Sequence, residues 1–436
     1  MTESRPVTSV PSGRAVLADR DVRILLGSYL LISLGIALQA AVLGKQIYDI
    51  TGRAIDLAWL GLAEFAPAPV LVLLTGSLAD RFNRKKIAGL ALAGELACAL
   101  ALMLYSISDP TAVWPFFVIA VAFGVFRAFN APAIRALPPM VAPDGALPRV
   151  VALFSATWTS AIIVGPALSG WLYSINTWVP YAVVSFTIFV GLIWLLTLQF
   201  RREPIAPDPD EKPSLRSAVE GLRFIRHTPI VLGAITLDLF AVLFGGAVAL
   251  LPVIAKDRLH VGDVAYGWLR AAGGIGAASM ALFLSIRPLR RHVGKALLIA
   301  VAVFGAATVL LGVTHNYAIA FVALVVLAGA DMVSVFVRGS LVPLVTPDEK
   351  RGRVLAVENV FIGASNELGA FESGIAAQYL GLPIAIIGGG IATIAVVGAC
   401  IFVFPSLRNV DRFEDLDHTK QPPNTAHPDT AHPDLT

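Results

Sequence analysis

The chain has 436 residues, with 33 Lys and Arg against 30 Asp and Glu, so its formal charge is only +3 and nothing in the balance requires a nucleic acid. Hydrophobic residues make up 56%, charged residues 14%, and the mean hydropathy is +0.75, which excludes an ordinary soluble domain and implies a polytopic membrane protein. The two cysteines, Cys98 and Cys400, fall in apolar runs with no pairing or metal-ligand spacing and read as core packing.

The first 23 residues are polar, and the apolar run that follows lacks a small-residue cleavage pattern, so a retained first helix is expected rather than a signal peptide. Apolar segments of spanning length then follow at 24–48, 56–79, 86–107, 113–137, 150–174, 178–200, 229–254, 264–286, 295–314, 317–340, 354–378 and 382–405. The expected fold is all-α, with twelve transmembrane helices.

Lys and Arg orient these spans, because cytoplasmic connections carry the positive excess. With the N-terminus inside, the cytoplasmic segments hold 27 of the 33, four of them assigned to the connection after the tenth span. The outer connections hold Arg53, Lys256 and Arg258, while Lys45, Arg127 and Arg270 lie within spans. Both termini are expected in the cytoplasm.

The longest internal connection, 201–228, begins Arg-Arg-Glu-Pro and carries Pro204, Pro207, Pro209 and Pro213, the composition of an extended linker. It divides a six-helix bundle at 24–200 from another at 229–405. Its second part aligns Leu215, Val219, Leu222 and Ile225 on one helical face, as an interfacial helix would; a solvated linker is the alternative.

A constant offset of 204 residues relates the two halves without a gap. Pro143-Asp144 matches Pro347-Asp348, Arg149-Val150 matches Arg353-Val354, and Gly165 and Gly170 match Gly369 and Gly374. Six helices per copy give parallel repeats about an axis along the membrane normal, with a central cavity between them. The same offset pairs Arg127 with Asp331, and the residues alone leave open whether these face one another or pair within their own halves.

One polar stretch stands out, Gly76-Ser77-Leu78-Ala79-Asp80-Arg81-Phe82-Asn83-Arg84-Lys85-Lys86. It resembles the signature loop between helices 2 and 3 of the major facilitator superfamily, with Asn83 where that pattern has Gly. The weaker Arg127-Ala128-Phe129-Asn130-Ala131 resembles a helix 4 motif of the same superfamily, and Gly165-Pro166 with Gly170 resembles the helix 5 motif of its exporters. Lys45-Gln46-Ile47-Tyr48-Asp49-Ile50-Thr51-Gly52 and the run from Phe361 to Gly374 are similar to the bacterial branch that holds the enterobactin exporter and related secretion-effector and drug-efflux proteins. The resemblance implies a proton-driven exporter of small amphipathic molecules or siderophores in a bacterial cell membrane, with an importer, or a non-transporting receptor or assembly protein, as the alternatives. It also implies a conformational gate built from Gly76, Asp80, Arg81, Arg84 and Lys85, in which Asp80 meets the start of helix 11 across the two halves.

Ionisable groups inside spans are costly unless they are paired or face water, so they are the functional candidates. Asp238, Glu367, Arg127 and Asp331 are the candidates for proton coupling. Glu64, Arg270, Glu358, Asn359, Asn366 and Glu372 are candidates for the substrate pathway, while Glu95 is the remaining ionisable residue of this group. Structural ion pairs or hydrogen-bonded core carboxylates are the competing reading. All seven histidines lie in connections or in the tail, so a proton relay must use carboxylates.

The tryptophans, Trp59, Trp114, Trp158, Trp171, Trp178, Trp194 and Trp268, mostly fall near span ends as an interfacial belt requires; Trp158 and Trp194 fit less well and are possible ligand contacts. The tail repeat Thr-Ala-His-Pro-Asp reads as disordered rather than metal-binding. No metalloprotease or phosphate-loop pattern is present, which argues against an enzyme and against ATP as the direct energy source. The sequence implies no cofactor, no metal and no obligate protein partner beyond the lipid bilayer and a small-molecule substrate.

Overall fold

The structure, a computed structural model, describes residues 13–71, 84–201 and 215–416. Among these residues there is no strand. The long helices are α1 (Arg20–Thr51), α2 (Ala54–Leu71), α3 (Arg84–Ile107), α4 (Trp114–Arg135), α5 (Leu147–Ile175), α6 (Val179–Thr197), α7 (Pro229–Phe244), α8 (Asp263–Ile286), α9 (Val293–Val313), α10 (Tyr317–Val345), α11 (Asp348–Leu380) and α12 (Leu382–Val403).

Eleven of these are long and apolar enough to cross a membrane. The exception is α11, which at 33 residues is long enough but too polar, since it carries Glu358, Asn359, Asn366, Glu367 and Glu372. Such a helix is tolerated in a bilayer only where its polar groups face protein or water.

Several element ends depart from the sequence expectation. Asp19 caps α1 by accepting from the Asp21 and Val22 amides, so helix begins four residues before the expected span. Gly52, at φ +62°, closes its other end in the left-handed conformation. The expected seventh span, 229–254, is broken. Regular α-helix stops at Phe244, and a 3-10 segment Gly246–Leu250 and a π segment Ile254–Arg258 complete the crossing.

The physical reason for the break is crowding against α11. A Cβ on Gly246 would lie 2.3 Å from the Gly369 carbonyl oxygen, and one on Gly369 would lie 2.5 Å from the Val242 oxygen. Only glycines let these backbones approach so closely. Gly246→Val should therefore lower the thermal midpoint and the folded yield of the purified protein, at a cost of about 1–3 kcal/mol. Gly388→Ala, at a position open on all sides, should leave both unchanged.

The 204-residue offset also holds in the packing. Gly165 of α5 lies against Leu34, Ala37 and Leu38 of α1, and Gly369 of α11 lies against Val242 and Leu243 around the end of α7. Gly170 abuts Asp263 and Gly267 of α8, and Gly374 abuts Ala54 and Ala58 of α2. Pro166 and Gly170 thus belong to the α5–α8 crossing, where a Cβ on Gly267 would lie 2.8 Å from the Pro166 oxygen.

Each half has its own apolar core. The first includes Leu38, Leu92, Phe116, Tyr181 and Ile188, and the second includes Val231, Leu297, Val301, Val337 and Leu341. A third cluster draws on both halves, joining Tyr48, Ala54 and Leu57 to Leu250, Ile254, Tyr266 and Leu269. It lies at the α1–α2 connection, here termed the distal end; the end where α6 leaves toward residue 201 is the linker end.

The helix Leu215–His227 at the linker end packs on α11 through Gly221, whose Cβ would lie 2.8 Å from the Arg353 oxygen, and through the buried Ile225. Arg353 bonds Glu220 at 2.5 Å. Val219 and Leu222, two members of the expected apolar face, are exposed.

A clasp after α12 holds the start of α9. The His292 amide donates to Asp411 at 3.0 Å, and this donation, with the nearby His292 and Arg291 charges, holds the Asp411 carboxyl below the usual carboxylate range. A depressed folded value stabilises the folded state above the usual carboxylate range and loses that contribution as pH falls through the depressed value. Asp411→Asn should therefore narrow the difference in thermal midpoint between neutral and strongly acid solution.

Candidate functional site

A cavity of about 400 Å³ lies between the halves. The first half contributes Gly61 and Glu64 from α2; the second contributes Tyr266 and Arg270 from α8, Asp331 from α10, and Asn366 and Glu367 from α11. Among the described residues, three carboxylates thus share one space with a single lining cation. Arg270 donates to the Val248 carbonyl at 3.0 Å, in the broken stretch after α7. That break exposes backbone acceptors to the cavity, a use of irregular backbone that bilayers permit only where it lines a protein interior.

A crevice of about 10 Å³, room for roughly one water molecule, continues from this cavity. Asp331 and Phe304 line both spaces, and the crevice adds Asp238 and Ser334. Beyond it lies a buried charge cluster built by α7, α10 and α11. Arg338 pairs with Asp238 at 2.7 Å and with Glu358 at 3.4 Å, and the Ser334 hydroxyl donates to Asp238 at 3.3 Å. All three charged side chains are at most 8% exposed.

Arg338 is the residue that sequence reading misses. Arg338 falls near the end of the expected span 317–340, yet charge counting credits it to the connection that follows; α10 runs on to Val345 and holds it well inside the helix. The signal that could have found it is a cation within reach of the span end, facing two unpaired acids on neighbouring helices.

The expected sites are divided among several places. Glu367 and Asp331 line the central cavity, and Asp238 lies in the Arg338 cluster. Arg127 lines a separate cavity within the first half, so Arg127 and Asp331 do not share a space, and among the described residues Arg127 has no ion pair within 4 Å. Of the pathway candidates, Glu64, Arg270 and Asn366 line the central cavity. Glu358 instead belongs to the buried cluster, and Asn359 is exposed, bonding its own helix at the Leu355 carbonyl. Glu372 stands in a surface groove with Leu243 and Tyr379, away from the central cavity, because the axial turn of α11 carries it past the face that Asn366 and Glu367 present.

Gly76, Asp80 and Arg81 of the expected gate lie outside the described residues. Arg84 and Lys85 open α3, where Lys85 donates to the Leu198 carbonyl at 2.7 Å and ties the helix to the end of α6. Among the described residues no group of three or more His, Cys, Asp or Glu is placed to hold a metal ion; the tail repeat lies outside them.

At the distal end an ionic latch joins the halves. Lys45, buried on α1, bonds Asp49 at 2.8 Å and Asp263 of α8 at 2.9 Å. Asp49 also accepts from Lys256 at 3.2 Å and from the Tyr173 hydroxyl at 3.1 Å, while Tyr48 donates to Asp257 and Tyr266 donates to the Ala41 carbonyl at 2.7 Å. Together with the shared apolar cluster and the α5–α8 and α2–α11 crossings, the latch closes the distal end over the central cavity. The Lys45–Gly52 stretch, noted above only for its resemblance, is the centre of this latch.

Two six-helix halves with parallel internal repetition around a central polar cavity define a transporter of the major facilitator superfamily, not an enzyme. The profile described as "Transmembrane secretion effector" matches residues 12–430, so the chain belongs to that family. It is 26% identical over 389 residues to YfiS of Bacillus subtilis (strain 168), described as an uncharacterized MFS-type transporter, covering 85% of this chain and 89% of that one. It is 25% identical over 385 residues to the multidrug efflux pump Tap of Mycolicibacterium fortuitum, covering 83% and 90%. A crystal structure of a POT family transporter superposes with a TM-score of 0.69 at 12% identity, covering 89% of this chain and 96% of that chain, a likeness of fold alone.

Proposed function

We propose that the protein is a proton-coupled exporter of small amphipathic molecules, embedded in a bacterial cell membrane with both termini and the linker end in the cytoplasm. The observation that carries this reading is the central cavity, where Glu64, Asp331 and Glu367 share their space with Arg270, the one lining cation among the described residues. Charge in so confined a space is balanced by taking up protons or a cation. The crevice from Asp331 toward Asp238 gives a bound proton a second acceptor, and Arg338 makes that acceptor depend on the packing of three helices. A change in the α7–α10–α11 contacts that alternates access would then alter proton affinity, the coupling that secondary transport requires.

Export rather than import is supported by the relation to an efflux pump and by the Gly165-Pro166 and Gly170 pattern in α5. The distal latch then faces the outside, at the end opposite the cytoplasm from which an exporter loads its substrate. Siderophores remain within the substrate range of this reading.

Transport in energised cells tests it. Cells producing the protein should retain less of at least one compound from a panel of dyes, macrolides and siderophores, and a protonophore should abolish the difference. Asp331→Asn should reduce efflux to the level of cells lacking the protein. Efflux that persists after the proton gradient collapses, or accumulation instead of loss, would refute the coupling or the direction.

A further inference from the structure

The first half holds a second cavity, of about 480 Å³, which among the described residues is formed by α1, α4 and α5 and the turn after α4, without any residue of the other half. Its chemistry is opposite to that of the central one. Arg127 and Arg135, eight residues apart on α4 and so on one helical face, both line it, and among the described residues no carboxylate does. Both are exposed, and neither has an ion pair within 4 Å among the described residues. The facing wall is aromatic: Tyr29 stacks on Phe154 with centroids 3.7 Å apart and planes 5° from parallel, and the Trp158 ring lies with its centroid 6.4 Å from that of Tyr29. Asn130, almost fully buried between the arginines, lines the cavity too; it donates to Glu95 at 2.9 Å and keeps its Oδ1 without a partner.

Two guanidinium groups outside any ion pair within 4 Å among the described residues, opposite an aromatic wall, constitute a recognition set. Guanidinium groups bind carboxylate, sulfonate or phosphate oxygens in pairs, and aromatic faces take planar rings. A dipolar lining for a cation would need acids, and a purely apolar ligand would leave two arginines solvated for no gain.

We propose that this cavity is a binding site for planar aromatic organic anions, with Arg127 and Arg135 holding the anionic group and Trp158, beside the Tyr29–Phe154 stack, holding the ring. The inference rests on the exporter reading for its purpose, since it gives substrate and proton separate cavities, but the binding itself needs no transport. Anionic lipid headgroups share the charge chemistry and lack the ring.

Equilibrium binding to the full chain in nanodiscs separates these. The probe is a naphthalenesulfonate, followed through tryptophan fluorescence, beside the naphthyltrimethylammonium cation of the same ring and an alkyl sulfate of similar size. The sulfonate should bind, the cation should not, and the alkyl sulfate should bind about tenfold more weakly. Arg127→Gln and Arg135→Gln should each weaken the sulfonate about tenfold or more, whereas Arg127→Lys, which keeps the charge and reports on folding, should lose less. Read by calorimetry, Trp158→Ala should weaken it and Trp158→Phe should restore most of the loss.

Equal binding of cation and anion, or indifference to both arginine substitutions, overturns the site. The alkyl sulfate and the naphthalenesulfonate binding alike, with both displaced by adding phosphatidylglycerol to the discs, would assign the arginines to lipid and overturn the aromatic class. Arginine-dependent binding without any proton-coupled movement of the probe would keep the site and remove the exporter reading; export of the probe unaltered by Arg127→Gln and Trp158→Ala would do the reverse.

Discussion

Replacing Arg338 with methionine is expected to cost the protein most of its transport and a large part of its stability. Asp238 and Glu358 would then lie buried, at 6% and 8% side-chain exposure, with no cation between them. Removing one partner from a buried ion pair costs about 3–5 kcal/mol, because the desolvation of the remaining charge is no longer offset. Thermal unfolding of the purified protein should show a marked fall in midpoint. The triple variant Asp238→Asn, Arg338→Met, Glu358→Gln should recover much of that midpoint, since it leaves no unpaired charge, but should not recover proton-coupled transport. A midpoint unchanged by Arg338→Met would mean that the cluster is solvated and carries little.

Lys45→Met should have the second largest effect, on conformation rather than on folding. Lys45 links Asp49 of its own helix to Asp263 of the other half, so its loss removes the one buried cation of the distal latch. Asp49 would retain Lys256, while Asp263 would lose its partner. A cysteine placed at Ala370, which lines the central cavity, reports the opening. Labelling by a membrane-impermeant maleimide applied from the distal side should rise on the order of tenfold relative to the unaltered latch, as expected if about 1.4 kcal/mol of closed-state stability is lost. Cys98 and Cys400 are both buried, and the chain without the Ala370 substitution supplies the background. Equal labelling rates would show that the apolar cluster and helix crossings close this end without the ions.

The fold was largely legible because hydropathy and charge bias report directly on what a bilayer demands. The spacing of the apolar runs gave the long helices, and the 204-residue offset gave the glycines that stand at matching crossings, Gly165 with Gly369 and Gly170 with Gly374. The break after α7 was not legible, since Gly245, Gly246 and Pro252 sit in an otherwise apolar run that continues smoothly through it. What fixes the break is Gly369, 123 residues further along the chain.

The site was legible in composition and not in partnership. In-span acids were identifiable one by one, but Arg338 sits where a helix end and a connection look alike, and its partners are Asp238 and Glu358 on other helices. Lys45 and Asp49 could be read as an i, i+4 pair; that they reach Asp263 and Lys256 depends on how the halves meet. Glu372 shows the converse error, in which a polar helix was taken to present all its acids to one pathway.

Proton movement tests the central claim most directly. Everted membrane vesicles energised by respiration, with a fluorescent reporter of internal acidity, should show proton efflux when a transported compound is added to the wild-type protein. The same addition should give no proton movement with Asp331→Asn or Glu367→Gln, although the compound still binds. Proton release undiminished in both variants, or compound movement with no proton movement at all, would contradict the assignment of coupling to the central carboxylates.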